Sequence, residues 1–516
     1  MSWQPSYSWT GAPATFNGTN AETGGDSRTE NLNQWYQPGD QAFIIVSASL
    51  SLIWVVMMSF SVVIFQWYFW GYSLAFSTTA KNGFIGDLHH FGLTNTLALP
   101  SPGSPLIPEL LYSFYQMMFC GVTAALVIGA VAERGRVLPA MVFVFFWATI
   151  VYCPLACWVW NIHGWAFNYG VLDYAGGGPV EIGSGMSALA YSWVLGRRHE
   201  RMMLNFRPHN VSLVTLGTVF LWFGWLGFNG GSSFGANLRA TIACWNSCLT
   251  AMFAAMTWCL LDFRLAKKWS MVGWCSGTIS GLVAATPASG FIPPWASIVL
   301  GVVTGICCNF GTKVKFLVGI DDSLDVFAEH AVGGMVGLIF NALFGANYII
   351  GLDGVNNGLF PGGWLDHHYR QLYIQIAYIV ATTAYSFVVS AILAKLIDMV
   401  PGLHLRASEE AELMGMDDDQ LGEFAYDYVE VRRDFLAWTP AKEEPVANGH
   451  RIIPQHGIEE HQNLANTAGH SPPASSRLEV EQEKIGASVR APAKEQAAES
   501  AIESSGNSKP ASRGSS

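Results

Sequence analysis

Residues 137–160 read VLPAMVFVFFWATIVYCPLACWVW, a run of 24 residues without a single charged side chain. A helix rises about 1.5 Å per residue, and about 20 apolar residues cross the roughly 30 Å hydrocarbon layer of a bilayer. The run therefore predicts a transmembrane helix.

Nine further apolar blocks lie on either side of this run. Many of them carry glycine and other small residues, as helices that pack closely within lipid often do. Their approximate bounds are 42–76, 108–132, 177–195, 211–232, 240–261, 270–287, 294–311, 325–345 and 371–394. The predicted fold class is all-α, a polytopic helical membrane protein.

The composition favours the same class. Only 13% of the 516 residues are charged and 51% are hydrophobic, whereas soluble domains carry about 25% charged residues. The formal charge of −11 arises in the two polar ends, because residues 41–400 hold 15 Lys and Arg against 14 Asp and Glu. No basic stripe exists to follow a phosphate backbone, so a nucleic-acid partner is excluded. The nine cysteines sit inside apolar runs and are interpreted as small buried hydrophobes.

Basic residues predict the orientation of the helices. Lys and Arg concentrate in alternate loops, at 134–136, 197–207, 264–268 and 313–315. By the positive-inside rule these loops and the C-terminal tail face the cytoplasm. The first 40 residues contain one basic residue, Arg28, and the glycosylation sequon Asn17-Gly18-Thr19, which favours an extracellular N-terminus. Block 42–76 fits this topology poorly, since its 35 residues make about 50 Å of helix, too long for one crossing and short for two.

The chain divides into four predicted regions. Residues 1–41 form a polar extracellular segment without a cleavable signal peptide, and 42–400 form the transmembrane domain. Residues 401–438 could form short amphipathic helices on the cytoplasmic face, and 439–516 form a tail expected to be disordered. Serines in the tail are candidate phosphorylation sites, which would make a kinase a partner.

Two acidic residues are each followed, eight positions later, by a proton-binding side chain. Asp173 precedes Glu181 in LDYAGGGPVEIGSG, and Asp322 precedes His330 in DDSLDVFAEHAVGG. The predicted topology starts these helices from opposite faces, so eight residues bring Glu181 and His330 each about 12 Å deep, near the midplane. Such an arrangement is typical of inverted-topology repeats with a site at their interface, and the two side chains are expected to meet.

Plainer interpretations stand beside this one. The matched spacing can arise by chance, and Asp173 is better interpreted as a helix N-cap than as a substrate contact. Glu329 and the histidines are assigned to interfacial positions without a special role; these histidines are His163, His367 and His368. Glu181 has the fewest plain explanations, because an ionisable group deep in a membrane is costly and marks function by default.

Four residues near the predicted outer face point to a substrate. They are Trp160, Phe119, Phe228 and Ser232. Aromatic stripes are more often packing than binding sites. A Trp face near an entrance can nevertheless hold a small cation, and a Ser hydroxyl can accept a hydrogen bond from it. Apolar rings beyond such a site would oppose the passage of charge.

Long strings in the right order resemble the ammonium transporters of the Amt/Mep/Rh family, and more closely its fungal Mep branch. The resemblance covers nearly all of residues 41–438. Its clearest strings are FQWYFWGYSLAFS (65–77), LDYAGG (172–177), TVFLWFGWLGFNGGS (218–232), CSGTISGLVAATPASGF (275–291), DDSLDVFAEHAVGGMVG (321–337) and LRASEEAELMG (405–415).

The resemblance implies a plasma-membrane homotrimer in which every subunit has about eleven helices in two inverted halves and its own pore. It implies ammonium, with methylammonium, as substrate, and neither an enzymatic activity nor a cofactor or metal. Trp160, Ser232 and Phe119 would recruit the cation, and Phe119 with Phe228 would gate the pore. Glu181 and His330 would relay protons, and Asp173 would be the structural acid near the entrance. Residues 402–438 would dock beneath the pore and regulate it.

The chain departs from the family pattern twice. Glu181 replaces the first of two pore histidines, as in a subset of fungal members. The first helix also lacks about 20 residues where Leu50 meets Ser51, which leaves ten or eleven helices and accounts for the awkward length of block 42–76. Either a gene-model or splicing omission or a naturally impaired transporter explains the gap. An ammonium-sensing receptor that signals through its tail stays an alternative, and a metal-dependent membrane enzyme is a distant third.

Overall fold

The computed structural model describes residues 36–51, 57–199, 208, 210–356 and 360–422. Within these residues the chain forms no β-strand and eleven main helices. They are α1 Pro38–Ser51, α2 57–76, α3 Glu109–Gly129, α4 137–160, α5 177–195, α6 Val211–Gly231, α7 Leu238–Ala266, α8 Met271–Ala288, α9 Pro294–Gly311, α10 Phe327–Phe344 and α11 Gln371–Asp398. Three short helices lie in the connections, Trp165–Tyr169, Val314–Val318 and Asn347–Ile350, and a fourth, Glu409–Met414, follows α11.

The polytopic helical fold is confirmed. Each apolar block predicted from residue 108 onward coincides with one of the helices α3 to α11. Seven helical stretches in the described part of the chain are long and apolar enough to cross a bilayer by themselves. The first block, 42–76, contains two helices, α1 and α2, with residues between them that lie outside the described part.

Wide turns interrupt four of the helices. These π-helical turns, in which hydrogen bonds span one residue more than in an α-helix, are Trp67–Gly71 in α2, Ala148–Tyr152 in α4, Gly177–Ile182 at the start of α5 and Phe327–Ala331 at the start of α10. Such turns are rare and concentrate at functional sites. Two of the four contain the residues predicted to meet at the midplane.

Small residues bring α7, α8 and α9 into close contact. A Cβ atom on Gly281 of α8 would lie 2.6 Å from the Cα of Ala251 in α7, and one on Gly301 of α9 would lie 2.7 Å from the carbonyl oxygen of Thr250. Only glycine permits this approach of backbones, as in other helices that pack within lipid. The three helices therefore form a tight layer behind α10.

Helix α1 is short and covers only part of its neighbour α6. Its 14 residues make about 21 Å of helix, and it packs against the end of α6 nearest Gly231. Residues 211–223 of α6 make up the other half and are mostly exposed, with Val219 at 57% and Phe223 at 52%. An added Cβ on Gly217 would find no atom of the described residues within 4 Å. Among the described residues, no helix covers this half of α6, the part for which the sequence analysis expects the stretch of α1 to be missing.

Ion pairs and backbone hydrogen bonds hold the face that carries the basic loops. The Arg198 guanidinium binds both carboxylate oxygens of Asp321 at 2.8 Å, and the Arg134 Nη2 donates to the carbonyl oxygen of Asp321 at 2.6 Å. The segment after α11 lies on this face, because Ala407 N donates to Arg134 O at 3.0 Å and Arg406 pairs with Glu412 at 2.8 Å. The rest of the predicted regulatory segment, from 423, and the predicted disordered tail lie outside the described residues, as do residues 1–35.

Candidate transport site

Glu181 and His330 meet inside the helix bundle. The His330 Nδ1 lies 2.7 Å from the Glu181 Oε2, and the side chain of His330 is 5% exposed and that of Glu181 0%. Glycines allow the contact: a Cβ on Gly185 would collide with Ala331, and one on Gly334 would lie 2.7 Å from the Cβ of Glu181. The first turns of α5 and α10 thus cross at close range, and the expected meeting of the two residues is found. We call them the relay pair.

The two acidic residues that precede the relay pair hold equivalent positions. The Asp173 Oδ2 accepts from the backbone N–H of Gly178, five residues on, at 2.8 Å. The Asp322 Oδ2 accepts from the N–H of Phe327, also five residues on, at 2.8 Å. Each carboxylate therefore caps the π-helical turn that carries one member of the relay pair. The same local motif occurs once in each half of the chain.

Asp173 makes a fuller cap than its counterpart. Its Oδ1 also accepts from the N–H groups of Gly176 and Gly177, at 3.0 and 2.6 Å, and the Tyr378 hydroxyl donates to Oδ2 at 3.3 Å. These contacts fit the N-cap interpretation. The carboxylate is engaged by backbone donors, which are the orphan N–H groups of a helix start.

The two predicted gate residues, Phe119 and Phe228, stack on each other inside the helix bundle. The ring centroids of Phe119 and Phe228 are 3.9 Å apart with an interplanar angle of 16°, and both rings are buried. Trp160 meets Phe119 edge to face at 6.0 Å. The Trp160 indole N–H donates to the backbone oxygen of Asp173 at 3.4 Å. The predicted gate residues therefore form one continuous aromatic cluster with Trp160.

Tyr115 completes this cluster and was missed by the sequence analysis. Its hydroxyl donates to the Phe228 carbonyl at 2.5 Å and lies 3.3 Å from the Ser232 Oγ. The Ser232 hydroxyl donates to the same carbonyl at 2.8 Å. With its proton committed there, the Ser232 oxygen faces the cluster as an acceptor. Tyr115 stands one helical turn before Phe119 in the string FYQMMFCG (114–121), so the 3.6-residue period could have revealed it.

Trp160 of this cluster and Ser232 line a cavity of about 240 Å³, which we call the outer vestibule after the face on which the sequence predicts it. Its wall includes Trp160, Asp173 and Ser232, together with Arg239 and Asp353. A larger groove of about 630 Å³ runs between α1, α2 and α3. Its lining is mostly aliphatic and aromatic and holds no carboxylate or histidine, so the vestibule is the better candidate for a cation.

The prediction for Glu329 is wrong. This residue, assigned to an interface, is buried within the bundle at 7% exposure. Helix α10 begins with the π-helical turn Phe327–Ala331, and this turn packs against α8 and α9. Glu329 therefore shares a buried turn with His330. Among the described residues no three of His, Cys, Asp and Glu cluster as a metal site.

The helices and the site define a class: a polytopic membrane protein with a buried acid–imidazole pair, a stacked aromatic cluster and a cavity that this cluster reaches through Trp160. Comparison with known proteins makes the class specific. The model of the Ammonium Transporter Family matches residues 45–426, and the chain belongs to that family.

Yeast transporters are among its similar relatives. The chain is 56% identical over 392 residues to ammonium transporter MEP3 of Saccharomyces cerevisiae, which covers 76% of this chain and 80% of the relative. It is 48% identical over 461 residues to ammonium transporter 2 of Schizosaccharomyces pombe, covering 84% and 90%. The crystal structure of Saccharomyces cerevisiae Mep2 superposes with a TM-score of 0.72 at 42% identity, covering 77% of this chain and 94% of that one. That of Candida albicans Mep2 gives 0.72 at 41% identity, covering 76% and 91%.

Proposed function

We propose that this chain moves ammonium across the membrane by separating it into a proton and ammonia. Ammonium and potassium ions are similar in size and equal in charge, so an apolar passage distinguishes them only through chemistry. Ammonium alone can release a proton. Ammonia then crosses the apolar passage, whereas a metal ion stays charged and is excluded.

Recruitment takes place in the outer vestibule. The Trp160 ring face attracts a cation with a cation–π energy of about 0.5–2 kcal/mol, and the Ser232 oxygen accepts a hydrogen bond from one of the N–H groups of ammonium. Support comes from the hydroxyl proton of Ser232, which is held by the Phe228 carbonyl at 2.8 Å. Phe119 forms the gate with Phe228, because their 3.9 Å stack leaves no room for a hydrated ion. Methylammonium carries the same N–H donors and is a second substrate.

The relay pair takes the proton, and its geometry is the observation that carries the proposal. With 2.7 Å between Nδ1 and Oε2, a single proton between the two groups serves both. The second carboxylate oxygen of Glu181, Oε1, makes no hydrogen bond to the described residues. It is the atom best able to accept a further proton. Returning the proton along this pair makes transport electrogenic.

Substitution of Glu181 tests the relay. Glu181→Gln keeps the size and a hydrogen-bond acceptor for His330 but cannot take up a proton, so the ammonium current should fall at least about 100-fold. Glu181→His is the matched control, since it restores the pair of histidines usual in the family and should conduct with an altered pH dependence. Currents are recorded from purified protein in liposomes. A Glu181→Gln or Glu181→Ala chain with unchanged current and ammonium selectivity would remove the relay from the mechanism.

We further propose a homotrimer in the plasma membrane, with an extracellular N-terminus and a cytoplasmic tail open to a kinase. The alternating basic loops support this orientation. The segment that follows α11 packs by Arg406 and Ala407 against the basic face, which supports a regulatory role for it. Glycosylation at Asn17 tests the orientation, because only an extracellular asparagine acquires a glycan. A chain that is unglycosylated in a fungal host would contradict it.

A second candidate, a transport-impaired variant, rests on the exposed half of α6. In the part of the chain that the structure describes, no helix covers residues 211–223, where the stretch expected from the family pattern would pack, and Phe220 is 46% exposed. A growth assay on scarce ammonium separates the candidates. It uses cells without permeases of their own and compares this chain with one in which about 20 residues are restored after Leu50. Rescue by the restored chain alone supports impairment. Sequencing the transcript across Leu50 and Ser51 then decides between omission and natural variant. The relatives, named as transporters, do not favour a sensor.

A further inference from the structure

A buried ion pair in the wall of the outer vestibule has no part in the mechanism above. Arg239 and Asp353 line the same cavity as Trp160 and Ser232. Their side chains are only 6% and 2% exposed, and the Arg239 Nη1 lies 2.5 Å from the Asp353 Oδ2. A permanently charged guanidinium in the wall of a cavity that receives cations requires an explanation.

The helix that carries Arg239 does not explain it. Arg239 is the second residue of α7, and the Asn237 side chain caps that helix by accepting from the N–H of Ala240 at 3.0 Å. A cation in the first turn is disfavoured by the helix dipole. The arginine is therefore retained against a local electrostatic cost, which its partners offset.

Several contacts fix the guanidinium in one position. Its Nε donates to the Gly290 carbonyl at 2.9 Å, and its carbon lies 5.0 Å from the ring centroid of Tyr174 and 4.9 Å from that of Phe291. Tyr174 directly follows Asp173, the cap of α5. Arg239 thus ties the start of α7 to the turn that enters the relay helix.

Asp353 is fixed as firmly from the other side. Its Oδ1 accepts from the N–H groups of Val355 and Asn356, both at 2.9 Å, and its Oδ2 also accepts from the Asn356 amide at 2.6 Å. The carboxylate cannot turn away without breaking its own loop. Its negative charge is therefore held permanently beside the guanidinium.

We infer that the Arg239–Asp353 pair sets the affinity of the vestibule for cations: Arg239 positions the wall, and Asp353 cancels the charge that would otherwise repel the substrate. The inference rests on recruitment in the vestibule as proposed above. Neither residue needs to touch the ammonium ion. The pair acts through the electrostatic potential in the cavity, which depends on whether the two charges cancel.

Three variants separate this role from a merely structural one. Asp353→Asn leaves a bare guanidinium and should raise the KM for ammonium, while Arg239→Gln leaves a bare carboxylate and should lower it. A unit charge roughly 10 Å away, at an effective dielectric constant of about 35, changes binding about fivefold. The double variant Arg239→Gln/Asp353→Asn has no net charge to add and should return KM to near that of the unmodified chain. Both single effects should shrink at high ionic strength.

The measurement is concentration-dependent uptake of labelled methylammonium by the full chain in cells without permeases, with maximal rates normalised to surface protein. The affinity for ammonium is also obtained from the rise in thermal midpoint of the purified protein with ammonium chloride, with potassium chloride as the control. This measurement works even for a chain that binds ammonium without transporting it. If the chains do not transport but their affinities for ammonium shift as expected, the result counts against the proposed function and leaves this inference standing. If both single variants change KM in the same direction, or lower only the maximal rate, the pair has a purely structural role and the inference is overturned. Absence of ammonium binding in the unmodified chain would overturn it as well.

Discussion

Replacing Gly217 by alanine tests whether half of α6 is unpacked in this chain. A Cβ at this position meets no atom of the described residues within 4 Å, so the substitution removes no described contact and creates no clash with them. Alanine is favoured over glycine in a helix interior by about 0.5–1 kcal/mol, because glycine loses more backbone freedom on folding. Gly217→Ala should therefore raise the free energy of unfolding by up to that amount.

Gly227 on the same helix provides the matched control. A Cβ there would lie 2.9 Å from the carbonyl oxygen of Ser47 and 3.0 Å from the Cβ of Leu50, both in α1. The added methyl group must push α1 away from α6, and overpacking of this kind costs about 1–3 kcal/mol. Gly227→Ala should lower the thermal midpoint although it makes the same chemical change.

Thermal unfolding of the purified chain in detergent measures both variants, and a chain with the missing stretch restored provides the decisive comparison. There, a helix would pack over Gly217, and Gly217→Ala should become destabilising as Gly227→Ala is. The reasoning is refuted if Gly217→Ala already destabilises the chain as it stands. That result would mean that residues 211–223 of α6 are covered, and the impairment argued from their exposure would lose its basis.

Three further outcomes are expected. Asp173→Asn weakens the cap of α5 and should lower stability by about 1–2 kcal/mol, measured by thermal unfolding, with Asp173→Ala lower still. Burial raises the pKa of Asp321, but the hydrogen bonds and charge of Arg198 outweigh it and hold that pKa below 3.8. The stability gained from this carboxylate is thus present above pH 3.8 and lost on further acidification. The thermal midpoints of the unmodified chain and Asp321→Asn should therefore differ by a constant amount from pH 5 to 7.5, and the difference should shrink below pH 3.8. Phe228→Ala opens the gate beside Phe119 and should reduce discrimination against potassium, measured as the reversal potential in mixed salts; unchanged selectivity would show that the stack does not exclude ions.

The helices from 108 onward could be placed from the sequence alone, because bilayer thickness fixes how long an apolar run must be. The approach of Glu181 to His330 could also be predicted. It needed only an eight-residue spacing in two helices that start from opposite faces. Both inferences use lengths along the chain, which a sequence states directly.

Side-chain partners across the fold could not be predicted in the same way. Tyr115 and Arg239 act through contacts with residues more than 50 positions away, and nothing in their local pattern distinguishes them from packing residues. Glu329 was misplaced because the π-helical turn that carries it has no sequence signature and shifts which residues face inward. The first block appeared as one long run, since the junction of α1 and α2 contains no polar turn.

The π-helical turn at Gly177–Ile182 holds one residue more than an ordinary helical turn would. Removing a single residue from it would let the helix regularise, and the directions of the side chains within the turn would change by up to about 100°, the rotation of one residue in an α-helix, while the two flanks kept their relative orientation. Glu181 would then swing away from the imidazole while the hydropathy of the segment stayed almost the same. A hydropathy profile would not distinguish such a chain from the original, although the proton path would be broken.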